Sequence, residues 1–317
     1  MKKRIIAFLL VAAAALGIIC SCAEKQDSYV LKVGALNGPT GMGMARMISE
    51  KEKDGIADYT LYGAADEVRA ALLTGELDIA AVPANLASVI YNKTEGKYLI
   101  AAINTLGVLY IVENGNTVNS LADLDGKTIY ATGQGSTPEY ILSHLLAAAN
   151  VTPAEIIYKT EHSELATLLA SGQADIAMLP QPFVTSVMMK NENIRVAVDM
   201  TAEWKKNCEG ETVQGVVVVS KDAVKNHREL VNRFLDTYKA SVEYVNSNVD
   251  QAAEIIAQLG IVGSAAIAKK AIPNCNIVFI DGEQMKTALN AFLKVLFDAS
   301  AASVGGKLPD EKIYYTR

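Results

Sequence analysis

The 317-residue sequence predicts an α/β protein of two similar lobes joined by two strand-like crossovers. Three observations carry this. First, "LLTGELDIAAVP" (Leu72–Pro83) recurs 97 residues later as "LASGQADIAMLP" (Leu169–Pro180), and Glu67–Lys93 matches Glu164–Lys190 at eight of 27 positions. Second, strand-like and helix-like segments alternate around both copies, the pattern of a mostly parallel sheet covered by helices. Third, strongly β-prone stretches lie between and after the copies, at Leu106–Glu113 and Val213–Ser220. Two copies make two lobes, whereas a solenoid needs three or more repeats at a shorter period.

The elements follow in order. "YVLKVGAL" alternates as a strand does, and "NGPTG" (37–41) breaks it. "MGMARMISEK" has helical spacing, with Met44, Met47 and Ile48 on one side. "YTLYG" is a strand, and "ADEVRAALLTG" a helix stopped by Gly75 just past its last turn. "DIAAVP" is a short buried strand, and "NLASVIYNK" a helix. The second copy repeats the order with "TIYAT", the break "GQGSTPEY", the helix "ILSHLLAAAN", "EIIYKT", "SELATLLASG" with its stop at Gly172, and "DIAMLP". The opening turns also correspond, "VGALNGPTG" (33–41) lying opposite "IYATGQGST" (129–137). After the return strand come helices. In "NHRELVNRFLDTYKASVEYVN" the residues Leu230, Phe234, Tyr238, Val242 and Val245 share one face. The expected division is lobe one at 29–112 and 213–317, and lobe two at 113–212.

The N-terminus reads differently. "MKKRIIAFLLVAAAALGIICSC" has three basic residues, then apolar ones from Ile5 to Ile19, then small residues and cysteines. That is the grammar of a secretory signal peptide, and the run is short of the ~20 residues that span a bilayer. The end of this segment resembles the lipobox of bacterial lipoproteins, which implies acylation of Cys22, with Ile19 at −3 and Ser21 at −1. Cys20 fits less well, because bulky Ile19 would precede it. Residues 1–21 are then the signal peptide and "CAEKQDS" (22–28) the tether from lipid to body.

Loss of Lys2, Lys3 and Arg4 takes the net charge from −6 to −9. An acidic protein is a poor partner for nucleic acid and gains nothing from an anionic membrane surface, so attachment falls to the lipid. Cys208 and Cys275 remain, as a disulfide or as two thiols; no Cys-x-x-Cys supports a zinc or redox site.

Lipobox, duplicated lobe, "LADLDGKTI", the "G-x-x-D-I-A" strands, "VQGVVVVSKDAVKNHRELVNRFLDTYKASVEYV" and a terminal "LPDEKIYY" together resemble the substrate-binding lipoproteins of bacterial ABC importers. The nearest branch is the nitrate/sulfonate/taurine type, which includes binders of thiamine precursors. The resemblance implies a periplasmic-binding-protein type II fold, a solute held between the lobes, and delivery to an ABC permease.

In open α/β sheets ligands bind beyond the carboxyl ends of the strands. Four loops qualify: Asn37, Gly38, Pro39, Thr40 and Gly41; Gly133, Gln134, Gly135, Ser136 and Thr137; Ala84 and Asn85; Gln181 and Pro182. Glycines let backbone approach a ligand, helix starts point N–H groups outward, and Thr40, Ser136 and Thr137 are candidate hydroxyl donors. Ser136 with Glu139 also reads as a capping box. None of these loops carries Lys or Arg, so an anionic or zwitterionic solute would be neutralised by backbone dipoles alone. Tyr62 and Trp204 are candidate aromatic walls or plain packing, and Gln214 precedes the return strand.

The three histidines, His144, His162 and His227, are scattered, and no His-x-x-x-His, nucleophile elbow or P-loop occurs. Asp78 and Asp175 stand at strand starts, away from the cleft end, and read as structural. The expectation is a monomeric, lipid-anchored binding protein without metal or cofactor, taking a sulfonate, carboxylate or thiamine-precursor solute. Two alternatives stand beside it: an enzyme on the same fold, similar to menaquinone-pathway or pyrimidine-forming enzymes, and a lipid-anchored sensory module.

Overall fold

The computed structural model describes residues 29–317; the expected signal peptide, the tether and Cys22 lie outside the described residues. Eleven strands are described, β1 (Leu31–Leu36), β2 (Ala57–Tyr62), β3 (Ile79–Pro83), β4 (Tyr98–Leu106), β5 (Leu109–Asn114), β6 (Thr128–Thr132), β7 (Glu155–Lys159), β8 (Ile176–Pro180), β9 (Ile194–Asp199), β10 (Val213–Ser220) and β11 (Ile277–Ile280). The helices of the first copy are α1 (Pro39–Gly43), α2 (Ala45–Ser49), α3 (Lys51–Asp54), α4 (Ala65–Thr74) and α5 (Ala84–Lys93). Those of the second are α6 (Thr137–Ala148), α7 (His162–Ala170), α8 (Phe183–Lys190) and α9 (Met200–Asn207). Then follow α10 (Lys221–Asn226), α11 (Arg228–Ser247), α12 (Val249–Gln258), α13 (Ala265–Ala271) and α14 (Gly282–Ala299).

Two sheets result, β11-β4-β10-β3-β1-β2 and β7-β6-β8-β5-β9. The duplication is exact in topology. In each copy a central strand (β1 or β6) pairs in parallel with the two strands that follow it. The match ends in the same stop, with Gly75 and Gly172 both left-handed at φ +78° and +73°, a conformation glycine adopts without strain.

The sheets are less parallel than the alternation implies. β10 runs antiparallel between β3 and β4, and β5 antiparallel between β8 and β9. The cause is the connection between lobes: a chain that leaves one sheet and enters the other arrives running the opposite way. Strands β4 and β5 are one continuous β-prone stretch cut at Gly107 and Val108, and each half joins a different sheet. The chain therefore passes over ahead of the expected 112/113 division. The return runs through Cys208–Thr212, after which β10 lies wholly in the six-stranded sheet. Both passages are short irregular segments rather than strands.

Alternate residues of β3 and β10 face opposite layers, the period of a pleated strand buried on both sides. Ala80, Val82, Val216 and Val218 join one core cluster, and Ile79, Ala81, Val217 and Val219 the other. The first cluster does not stop at the lobe boundary. It continues through Phe292 of α14 to Trp204 of α9, whose rings lie 5.3 Å apart, and on to Leu142 and Leu145 of α6. Thus α14, expected in lobe one alone, packs on the six-stranded sheet and also touches α6 of the other lobe. Trp204 is fully buried there, so its role is packing. Asp78 is structural too: its carboxylate accepts the Lys32 N–H (2.9 Å) and the Tyr29 hydroxyl (3.0 Å). Cys208 and Cys275 are free thiols.

The two passages lie against each other. A Cβ on Gly107 would overlap the hydroxyls of Thr201 and Thr212. Gly107→Ala should therefore cost about 1–3 kcal/mol of stability through overpacking, read as a lower midpoint in urea unfolding. Gly126→Ala, with open space around the same position but a left-handed backbone, serves as the strain-only control.

Candidate functional site

Six strand ends converge on one place. Each lobe contributes the carboxyl ends of its three parallel strands, and these enclose a cavity of about 110 Å³. The wall pairs Asn37 with Gly133, Gly63 with Thr160 and Pro83 with Pro180, each pair at equivalent positions of the duplication. Val108, in the first passage, forms part of the wall between them. Two flanking pockets adjoin: one of about 210 Å³ beyond Asn37, His162 and Phe183, the other of about 290 Å³ beyond Ala64 and Gly133.

Of the residues singled out in the sequence, Asn37, Pro39, Thr40, Ser136 and Gln214 line the central cavity. Gln134 and Gly135 line the larger flanking pocket. Gly38, at φ +104°, starts α1. Gly41 is buried behind it, where a Cβ would press on the Leu36 carbonyl at 2.8 Å. Tyr62 packs over Gly34. Gln181 faces its own helix, its Oε1 accepting from the Thr185 N–H (3.2 Å) and hydroxyl (2.8 Å).

Asn85 and Thr137 lie close by but have another task. The Thr137 hydroxyl donates to Asn85 Oδ1 at 3.0 Å, and the Asn85 N–H donates to Thr137 Oγ1 at 3.3 Å. Asn85 Nδ2 donates to the Ser303 carbonyl at 3.0 Å. Both side chains are fully buried, so the N-termini of α5 and α6 are fastened to each other across the lobes.

The hydroxyls differ from expectation. Thr40 Oγ1 donates to the Leu36 carbonyl (2.8 Å) and Ser136 Oγ to the Gly133 carbonyl (2.7 Å). A carbonyl only accepts, so these protons are taken up, and each hydroxyl offers lone pairs instead. The capping box changes accordingly: Ser136 is the N-cap of α6, but Glu139 accepts the N–H of Gly135, one residue earlier.

Sequence reasoning named Tyr62 at the end of β2 but passed over the β2–α4 and β7–α7 loops themselves, which lack the glycine-rich turns of the others. The second of these carries His162, the first residue of α7, in the cavity wall. Its Nδ1 lies 2.6 Å from Oγ1 of Thr132, and its ring centroid 5.1 Å from that of Phe183. The signal was in the repeat, since the 97-residue offset sets His162 opposite Ala65. His162 shows some surface to the cavity, yet protein surrounds the ring, and that burial pushes its imidazole down to about 4. Among the described residues no Lys, Arg, Asp or Glu lines the central cavity, so at neutral pH this wall carries no formal charge. Among the described residues no cluster of three His, Cys, Asp or Glu could hold a metal ion.

Comparison with known proteins agrees with this geometry. Residues 98–252, from β4 through the whole second lobe into α12, match the family model described as NMT1/THI5 like. A crystal structure of an ABC transporter from Parabacteroides distasonis is 24% identical, with TM-score 0.76 over 92% of this chain and 100% of that one. The alkanesulfonate-binding protein SsuA from Xanthomonas axonopodis pv. citri, bound to MOPS, is 14% identical, with TM-score 0.68 over 85% and 92%. The aliphatic sulphonate binding protein SsuA from Escherichia coli is also 14% identical, with TM-score 0.68 over 85% and 87%. Among curated proteins no sequence matches. The chain thus has the periplasmic-binding-protein fold, two α/β lobes, as expected from its sequence.

The His162 environment sets a pH dependence. The unfolded ring takes a proton near its ordinary 6.5, whereas the folded one does so only near 4. Between these values the unfolded state binds more protons, so the contribution to stability is full above 6.5 and lost as pH falls towards 4. It amounts to about 3 kcal/mol. Urea unfolding from pH 7 to 4 should show this slope, and His162→Asn should flatten most of it.

Proposed function

We propose that the protein captures a small polar solute outside the cytoplasm and hands it to the permease of an ABC importer, held at the membrane by lipid on Cys22. The observation that carries this reading is the enclosure of one cavity by six equivalent strand ends from two duplicated lobes. Such a cavity takes a solute in and releases it as the lobes close and part, a motion two chain passages permit. Support for a binding role comes from the wall itself. Among the described residues its one titratable side chain, His162, is neutral and turns Nδ1 to Thr132, which lies outside the wall. That leaves no activated nucleophile facing the cavity.

Of the similar structures, one is an ABC transporter and two are sulfonate-binding proteins. The solute is accordingly sought among small sulfonates, carboxylates and thiamine precursors. The central space suits a group smaller than benzene, which fills a cavity of about 150 Å³; longer solutes would extend into the flanking pockets. Asn37, Pro39, Thr40, Ser136 and Gln214 are the proposed contacts from the sequence-derived set, joined by His162 and Phe183.

Two tests follow. The correct solute at a hundredfold excess over Kd should stabilise the purified mature protein by about 2.7 kcal/mol. A thermal-shift screen of those three solute classes would find it, and Ser136→Phe should abolish the shift, with the apo melting point lowered through loss of the N-cap serine, a cost of about 1 kcal/mol. A flat response across the whole screen counts against the reading. In the native host, Cys22→Ser should move the protein from the membrane to the soluble fraction; the same release by Cys20→Ser alone would transfer the acylation site.

A further inference from the structure

We infer that the central cavity is built for an uncharged group, one that accepts a hydrogen bond from His162 and donates its own to the oxygens of Thr40 and Ser136. This rests on the solute-binding reading and names the chemistry of the solute at that point.

The wall's charge is the first reason. With no cationic side chain in it, an anion entering would lose several kcal/mol of hydration, to be offset by neutral donors alone. The second reason is the direction of the two hydroxyls in the wall. The hydroxyl protons of Thr40 and Ser136 already lie on carbonyls, so at these two positions a sulfonate or carboxylate would meet lone pairs where it needs N–H or O–H groups.

The third reason is the form of His162. Thr132 is 1% exposed, and among the described residues His162 Nδ1 is the sole partner of its hydroxyl. Were Nδ1 protonated, the buried Thr132 proton would have no acceptor, an expensive arrangement. Thr132 therefore donates to Nδ1, and the ring carries its proton on Nε2, at the end turned from Thr132. Phe183 holds the ring in place. His162 thus offers one neutral donor, and Thr132 is the residue that positions it.

Asn37 and Thr105 also line the cavity, and Asn37 Oδ1 and Thr105 Oγ1 are buried without a protein partner. Donor and acceptor capacity is therefore mixed around the space, as an amide, sulfonamide or alcohol requires. Charged side chains begin only in the flanking pockets, with Glu161 on one side and Asp66, Arg69 and Lys159 on the other. A charged end of the solute belongs there.

Matched probes test this with the purified mature protein: methanesulfonamide against methanesulfonate, acetamide against acetate, and ethanesulfonamide against ethanesulfonate. Affinities come from titrations followed by ¹⁵N-histidine NMR. The expected result is a His162 ring in the Nε2–H form, and about tenfold tighter binding of each neutral member. His162→Phe should remove that preference and His162→Gln, which keeps an N–H donor, should restore part of it. Thr132→Val should mix the tautomers and weaken the neutral probes without unfolding the chain. Tighter binding of the anions, or an Nδ1–H ring, overturns the inference and leaves the solute-binding reading standing. Silence from every probe, together with a flat screen of larger solutes, overturns both.

Discussion

The constraint on which the structure depends is the close pairing of two short chain segments, Gly107–Val108 and Cys208–Thr212. They cross between the sheets side by side, so tightly that Gly107 has no space for a side chain against Thr201 and Thr212. Because both passages are short, the two copies cannot drift apart or turn over. Their equivalent faces must meet. The carboxyl ends of β1, β2 and β3 then look directly at those of β6, β7 and β8, and a cavity between them is the geometric consequence. Val108 belongs to both descriptions: it is part of the passage and part of the wall.

That symmetry of backbone is filled asymmetrically by side chains. Where one lobe places Ala65 the other places His162, and where one has Asn37 the other has Gly133. A duplicated scaffold holding a small solute gains from this, since two identical surfaces would present the same groups to both ends of a guest that has none of their symmetry. The absence of charge from the wall sharpens the point. With neutral groups only, discrimination rests on the direction of each hydrogen bond, and those directions are set by bonds inside the protein, from Thr40 to Leu36, Ser136 to Gly133, and Thr132 to His162.

Repetition made the architecture legible. Leu72–Pro83 and Leu169–Pro180 announced two lobes, and alternation placed every parallel strand close to where it lies. The antiparallel strands were harder, since β4 and β5 read as one segment until the sheets separate them at Gly107. At the site, loop position drew attention to Asn37, Pro39, Thr40, Ser136 and Gln214, and these line the cavity. What a sequence does not contain is the direction of a hydroxyl proton, which depends on a carbonyl three or four residues back along the folded chain. Nor does it contain partners across the lobes: Asn85 and Thr137 have the residue types and positions of solute contacts, and only folding shows that they satisfy each other. His162 was hidden for a third reason, because an isolated histidine at a helix start has no local pattern to mark it.

The lobes are held together unevenly around the cavity. On one side run Asn85 with Thr137 and the apolar seam of Trp204, Phe292 and Leu145, all fully or nearly fully buried. Parting there would expose large side chains, each worth about 1.5–3 kcal/mol when buried, and strand a buried amide and hydroxyl. The flanking pockets, by contrast, are rimmed by exposed residues, Glu161, Ser163, Gly260 and Gly263 at one end, Asp66 and Gln134 at the other. Water replaces the contacts of those exposed side chains at little cost, while α13 and α8 still pack across the lobes at the first end. Opening that keeps the seam intact and separates the rims is therefore the inexpensive motion. In such a motion the passages at Gly107 and Thr212 would bend while the buried polar pair of Asn85 and Thr137 keeps its bonds.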